Sequence, residues 1–347
     1  MIDAIFQFID ENTYLLVGII KAVVIASALL GVVPLLVWLE RRLMGRFQVR
    51  LGPNRVGPLG LGQPFSDSIK LLFKESIIQN SADKFLFHLA PVVVVFTAIV
   101  SFAVIPMTGS FELFGEKMGL WASNINSGIL FVFAISGMGI YGMVLAGLSS
   151  NNKYSLMGGL RSSAQMISYE LTLGLAALCV IVHTGSLNLV DMVERQSTVP
   201  NVLYLLNPSL LIAFVLFFIA GVAETNRAPF DLPEAEQELV AGFHTEYTGM
   251  KFAMFFMGEY INMVTMSALI TLLFLGGWNA YILPDWAIVG FIAFAVKVSV
   301  LLCVFIWLRS TFPRIRYDRL MTFGWKFLVP VSVVNLFLGA AIHIASM

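Results

Sequence analysis

Six carboxylates stand between residues 224 and 246: Glu224, Asp231, Glu234, Glu236, Glu238 and Glu246, with only Arg227 and Lys251 as nearby cations. Close like charges raise one another's pKa, which is what a site that takes up and releases protons near neutral pH requires. Asp231-x-x-Glu234, with Pro233 between, reads as a capping box, so a short helix is expected to begin there. Glu234 and Glu238 would then share a face while Glu236 points elsewhere. A solvated acidic helix start is the ordinary alternative. Against it, long apolar runs on both sides hold this cluster at a bilayer surface.

Glu170 and Glu259 lie inside apolar runs, as do Lys297 and Lys21. An ionisable group in a membrane helix costs about 2.5–3.5 kcal/mol on insertion scales and defaults to a functional role. Glu259 paired with Lys297 is one reading, and Lys21 is placed to snorkel toward the interface. Hydroxyl-bearing neighbours (Ser168, Tyr169, Thr172, Tyr260) favour a hydrated proton path for the two glutamates. A third constellation is cationic: Glu40-Arg41-Arg42, then Arg46, Arg50 and Arg55, threaded with Gly and Pro. It suits anchoring to anionic lipid, or a rigid loop that forms a cavity wall or docking surface.

The elements that position these groups follow from composition. The 347 residues are 58% apolar and 12% charged, with 29 Phe and a mean hydropathy of +0.86, which excludes a water-soluble globule. Runs near the bilayer-spanning length of about 20 residues cover approximately 14–39, 86–106, 126–148, 164–184, 204–223, 252–275, 287–308 and 325–345. Such continuous runs must be helices. The fold class expected is an all-α polytopic membrane protein, a single integral membrane domain over 1–347. Eight Lys or Arg fall in loop 40–84, two in 149–163, two in 224–251 and five in 309–326. By the positive-inside rule these connections face the cytoplasm and both termini the other side. From Pro64 an interfacial amphipathic helix is expected, with Phe65, Ile69, Leu72 and Phe73 on one face and Asp67, Lys70 and Lys74 on the other.

Cys179 and Cys303 sit in apolar runs, and His88, His183, His244 and His343 have no metal-ligand spacing, so neither metal, iron–sulfur cluster nor haem is expected in this chain. Zero net charge offers no case for nucleic acid. The N-terminus lacks a basic n-region before its first apolar run, so that run reads as a retained span.

The block from Glu224 through Asn226-Arg227-Ala228-Pro229-Phe230-Asp231 to Leu239 resembles the signature of the H subunit of NADH:quinone oxidoreductase, respiratory complex I, and its mitochondrial counterpart, NADH dehydrogenase subunit 1. Leu39-Glu40-Arg41-Arg42, Gly52-Pro53-Asn54-Arg55 through Gln63-Pro64, Ser149 to Tyr154 and Gln165 to Glu170 are similar to the same family. The resemblance implies a membrane subunit that forms part of the quinone chamber and couples quinone reduction to proton translocation. Quinone is then the substrate, and electrons arrive through partner subunits: a cluster-bearing peripheral arm on one side, with antiporter-like membrane subunits alongside. The chamber would take Glu40, Arg41, Arg42, Arg46, Arg50, Arg55, Gln63, Phe65 and Phe230. Proton coupling would take Glu170, Glu224, Asp231, Glu234, Glu236, Glu238, Glu246 and Glu259. The third span offers no carboxylate, only Tyr141. A bacterial inner membrane with both termini periplasmic is expected. The competing readings are a membrane component of a related proton-pumping hydrogenase, which would not depend on quinone, and a secondary transporter, which would show repeats and broken helices.

Overall fold

Each apolar run winds into a helix because no backbone N–H or C=O can go unpaired in hydrocarbon. A computed structural model describes residues 2–113, 116–197, 207–231, 240–280 and 286–346. In chain order the helices are α1 (Ile2–Phe47), α2 (Gln63–Phe73), α3 (Lys84–Phe102), α4 (Gly128–Ser149), α5 (Lys153–Thr184), α6 (Leu189–Ser197), α7 (Pro208–Glu224), α8 (Gly249–Phe274), α9 (Ala287–Thr311), α10 (Tyr317–Phe323) and α11 (Val329–Ser346). A two-stranded antiparallel hairpin, β1 (Phe111–Leu113) and β2 (Glu116–Met118), joins α3 to α4 and pairs Phe111 with Met118.

The fold is the expected helical membrane bundle. Among the described residues, seven helical segments are long and apolar enough to cross a bilayer, the last running from α10 into α11. The eighth expected span is α7, which at 17 residues is shorter. Local sequence sets several boundaries. Asp83 caps α3 by accepting from the Phe85 and Leu86 amides, and Asn152 caps α5 through the Tyr154 amide. Pro64 and Pro208 sit in first turns, where a missing N–H costs nothing. The interfacial helix α2 leaves Phe65, Ile69, Leu72 and Phe73 exposed, as its periodicity requires.

α8 is the central helix: nearly every residue from Tyr260 to Phe274 is buried. Close approach is set by small residues. A side chain at Gly142 of α4 or Gly258 of α8 would meet Val94 of α3 at 2.5 and 2.6 Å. The buried end of α8 needs donors for its last carbonyls. Gln196 supplies them to Leu272 and Leu273, and Lys297 of α9 holds the turn that follows, donating to the carbonyls of Leu275, Gly277 and Asn279 at 2.8, 2.9 and 2.9 Å. The ion pair of Lys297 with Glu259 considered from sequence is therefore replaced by a clamp on the turn after α8.

Between α10 and α11 the chain makes a π-helical turn, Gly324–Leu328. There the Tyr169 hydroxyl donates to the Leu320 carbonyl at 3.1 Å, and Trp325 Nε1 donates to Ser168 Oγ at 3.1 Å. Farther along, Asn335, 3% exposed, donates to the Ser209 carbonyl of α7 at 3.0 Å.

Candidate functional site

At the arginine-rich end of the bundle the ends of α1, α7 and α9 converge on one buried ionic group. Glu40, on α1, is 2% exposed. Arg227, just past α7, donates through Nη1 to both its carboxylate oxygens at 3.1 and 3.2 Å, and Arg309 of α9 also pairs with it. Arg227 Nε lies 2.6 Å from Glu259 Oε1 on α8, and its guanidinium stacks over the Tyr260 ring at 4.4 Å. Two carboxylates and two arginines cancel, the condition for keeping charges out of water. Burial works against the charge on Arg227, but Glu259 and Glu40 outweigh it and hold its pKa above the ordinary arginine range.

The turn that carries Arg227 is clamped from both sides. Gln165 of α5 donates to the carbonyls of Ala223 and Phe230 at 2.8 and 2.9 Å. From the other side Arg314 pairs with Asp231 at 2.9 Å, and the Ile315 amide donates to the Pro229 carbonyl. Asn226 takes a left-handed conformation with φ +51°, which Asn tolerates better than most residues.

Two cavities meet at this group. The larger, about 570 Å³, lies between α1, α2 and α8; apolar side chains such as Leu30, Val33 and Leu72 line one part and Glu40, Arg309 and Tyr260 another. The smaller, about 50 Å³, is water-sized and is lined by Glu224, Asn226, His244, Glu259 and Asn262. Phe256 lines both, and Arg227 links Glu40 of the first to Glu259 of the second. One oxygen of the buried Glu224 has no hydrogen-bond partner among the described residues. Burial pushes the His244 imidazole down to about 4.

The remaining residues singled out from sequence fall into distinct places. Arg41 lines the larger cavity and pairs with Asp67 of α2 at 2.6 Å, an acid that Gln63 also approaches. Arg42 donates to the Leu59 carbonyl at 2.9 Å and stacks on Trp38, tying the loop to α1. Arg46, Arg50 and Arg55 are not part of that cavity's lining, and Arg50 donates to Gln48 instead. Phe65 faces outward, whereas Phe230 is buried against Tyr169. Glu246 accepts from Asn152 at 2.8 Å. Glu170 lies against Gly137 of α4, where a Cβ would come within 2.8 Å of its Oε1. Glu234, Glu236 and Glu238, with the expected capping box, lie outside the described residues.

Composition and spacing gave no site role to Arg227, Arg309, Gln165 or His244, and marked Tyr260 only as a hydroxyl-bearing neighbour of Glu259. A signal existed for Arg227: a lone cation in an acidic segment, followed by Ala-Pro-Phe, has the flanks of a buried rather than a solvated charge. Gln165 stood out only as the start of a segment similar to the family, because its partners across the turn, Ala223, Asn226 and Phe230, come from tertiary packing. Among the described residues no set of three or more His, Cys, Asp or Glu gathers as metal ligands.

The sequence model of the NADH dehydrogenase family matches residues 20–340. The chain is 50% identical to the H subunit of the NADH-quinone oxidoreductase of Protochlamydia amoebophila, covering 87% of this chain and 90% of that one. It is 46% identical to the corresponding protein of Syntrophotalea carbinolica, over 96% and 98%, and to one of the same type from Syntrophobacter fumaroxidans, over 94% and 96%. A match of this extent, over nearly the whole of each chain, shows that the chain belongs to the H-subunit family of NADH-quinone oxidoreductase, an integral membrane part of that enzyme complex.

Proposed function

We propose that this chain forms the membrane side of the quinone chamber of an NADH:quinone oxidoreductase and couples quinone reduction to proton translocation. The observation that carries the reading is the 570 Å³ cavity with an apolar part and an ionic part, which matches a molecule with an isoprenoid tail and a polar head. α2 contributes Pro64, Ser68, Leu71 and Leu72 to the cavity wall and leaves Phe65, Ile69 and Phe73 exposed, as a helix beside the entry of an apolar tail would. Glu40, Arg41, Arg309 and Tyr260 would meet the head. The coupling path would run from Glu40 through Arg227 to Glu259, then to Glu224 and Glu170, with Asp231, Glu234, Glu236, Glu238 and Glu246 as its further carriers. A change of charge at the head would redistribute a network in which one guanidinium serves two carboxylates.

In this reading the chain works only in assembly. Electrons come from a cluster-bearing peripheral arm docked on the arginine-rich end, and protons move toward antiporter-like membrane subunits. The membrane is the bacterial inner membrane, with both termini periplasmic. The test is photolabelling of the assembled complex with a photoreactive quinone analogue, followed by peptide mapping. Label is expected in peptides spanning 30–44 or 250–260 and should be displaced by excess quinone. Label confined to other subunits would overturn the chamber.

A further inference from the structure

The small cavity holds one titratable side chain that the signature glutamates do not account for. His244 follows the acidic loop in a short 3-10 turn, Gly242–His244, and is 8% exposed. Its ring is enclosed by aromatic edges: Phe243 at 4.8 Å between centroids, Phe252 at 5.4 Å and Phe256 at 6.2 Å, all steeply inclined to it. No described residue hydrogen-bonds to the ring. The polar groups it shares a space with are those of the cavity, Glu224, Thr225, Asn226, Glu259 and Asn262.

We propose that His244 is a third proton-carrying group of this cavity and hands protons between Glu224 and Glu259. The proposal rests on the coupling reading above and adds a residue to it. A neutral imidazole has one donor nitrogen and one acceptor nitrogen. A proton from one carboxyl binds the acceptor nitrogen as the proton on the donor nitrogen leaves for the other carboxylate, directly or through a water of the cavity. The ring ends neutral as the other tautomer, and rotation of the ring or a reverse transfer resets it. Burial favours this mode, since it holds the ring uncharged at neutral pH. The aromatic enclosure suits it as well, because it limits proton exchange to the cavity side.

The test uses the assembled complex in membranes with two variants, His244→Gln and His244→Phe, and Glu259→Gln alongside. Gln keeps a polar side chain but cannot relay; Phe keeps the aromatic packing without a nitrogen. Both histidine variants should lower quinone-linked kcat by roughly tenfold or more and raise its H2O/D2O rate ratio. The KM for quinone should not change, because His244 does not line the larger cavity. Should His244→Gln fail to assemble, His244→Phe decides. A wild-type kcat in an assembled variant, or a slowed variant with an unchanged isotope ratio, overturns the proposal. If Glu259→Gln is slow while His244→Phe is not, the histidine relay fails alone; if neither is slow, the coupling reading fails with it.

Discussion

Arg227 Nη1 holds both carboxylate oxygens of Glu40, at 3.1 and 3.2 Å, across 187 positions of sequence. With Nε on Glu259, the same guanidinium joins the first span to the central one. Arg227→Met would leave the buried Glu40 and the partly buried Glu259 with Arg309 as their remaining cation, and breaking a buried pair such as Arg227–Glu40 costs about 3–5 kcal/mol. Loss of assembled complex on native gels is expected. Adding Glu40→Gln and Glu259→Gln should recover much of it, because the uncompensated charge is gone. Arg227→Lys keeps the charge but cannot reach both acids, and should fall between.

Arg41 and Asp67 tie α2 to α1 beside the larger cavity. Partial burial opposes the charge on Asp67, yet Arg41 overrides this and holds its carboxyl below the usual range. The pair is partly exposed, so Asp67→Asn should cost less than about 1 kcal/mol of stability. Its effect belongs on the tail: the KM for a long-tailed quinone should rise several-fold and that for a short-tailed analogue little. Equal shifts for both would separate the pair from tail entry.

Gly137 gives the Glu170 carboxylate its place against α4. Gly137→Ala should push that carboxylate aside and slow quinone-linked turnover with the helix itself intact, since Ala favours helix over Gly. Combining it with Glu170→Asp, which is shorter, should restore part of the rate. A wild-type rate in Gly137→Ala would show that the carboxylate has room elsewhere.

His244 also sets a pH dependence. Its pKa in the fold is about 4 against 6.5 for an ordinary histidine, so between these values the unfolded chain binds the extra proton. Stability from this residue is complete above pH 6.5 and is lost as pH falls toward 4. The loss is on the order of 3 kcal/mol at about 1.4 kcal/mol per pKa unit. Thermal inactivation of the complex followed from about pH 7 to 4 should be less acid-sensitive in His244→Phe.

What could be read from the sequence divides along a physical line. Hydropathy and period are local, so the spans and the exposed face Phe65, Ile69, Leu72 and Phe73 were legible. α1 runs on to Phe47, past its expected end near 39, because Glu40, Arg41 and Arg42 are good helix formers and the helix does not stop where the apolar run does. Partnerships are not local. Lys297 is the apparent partner for Glu259 within the spans, but carbonyls of the turn after α8 claim it. Glu40 was legible as part of a cationic loop and is instead the buried anion between two arginines.

The π turn at Gly324–Leu328 has a consequence for insertions and deletions. One extra residue in a helix rotates everything beyond it by about 100°. Upstream, Tyr169 fixes the winding at Leu320; downstream, Ser332 and Asn335 are buried and Asn335 reaches the Ser209 carbonyl. The surplus residue brings these two anchorages into phase. Removing any one residue between 324 and 328 would wind the turn back to an ordinary pitch and swing the Asn335 amide toward the acyl chains, while exchanging the same residue for another would leave the phase untouched. In the last span the number of residues is constrained more tightly than their kind.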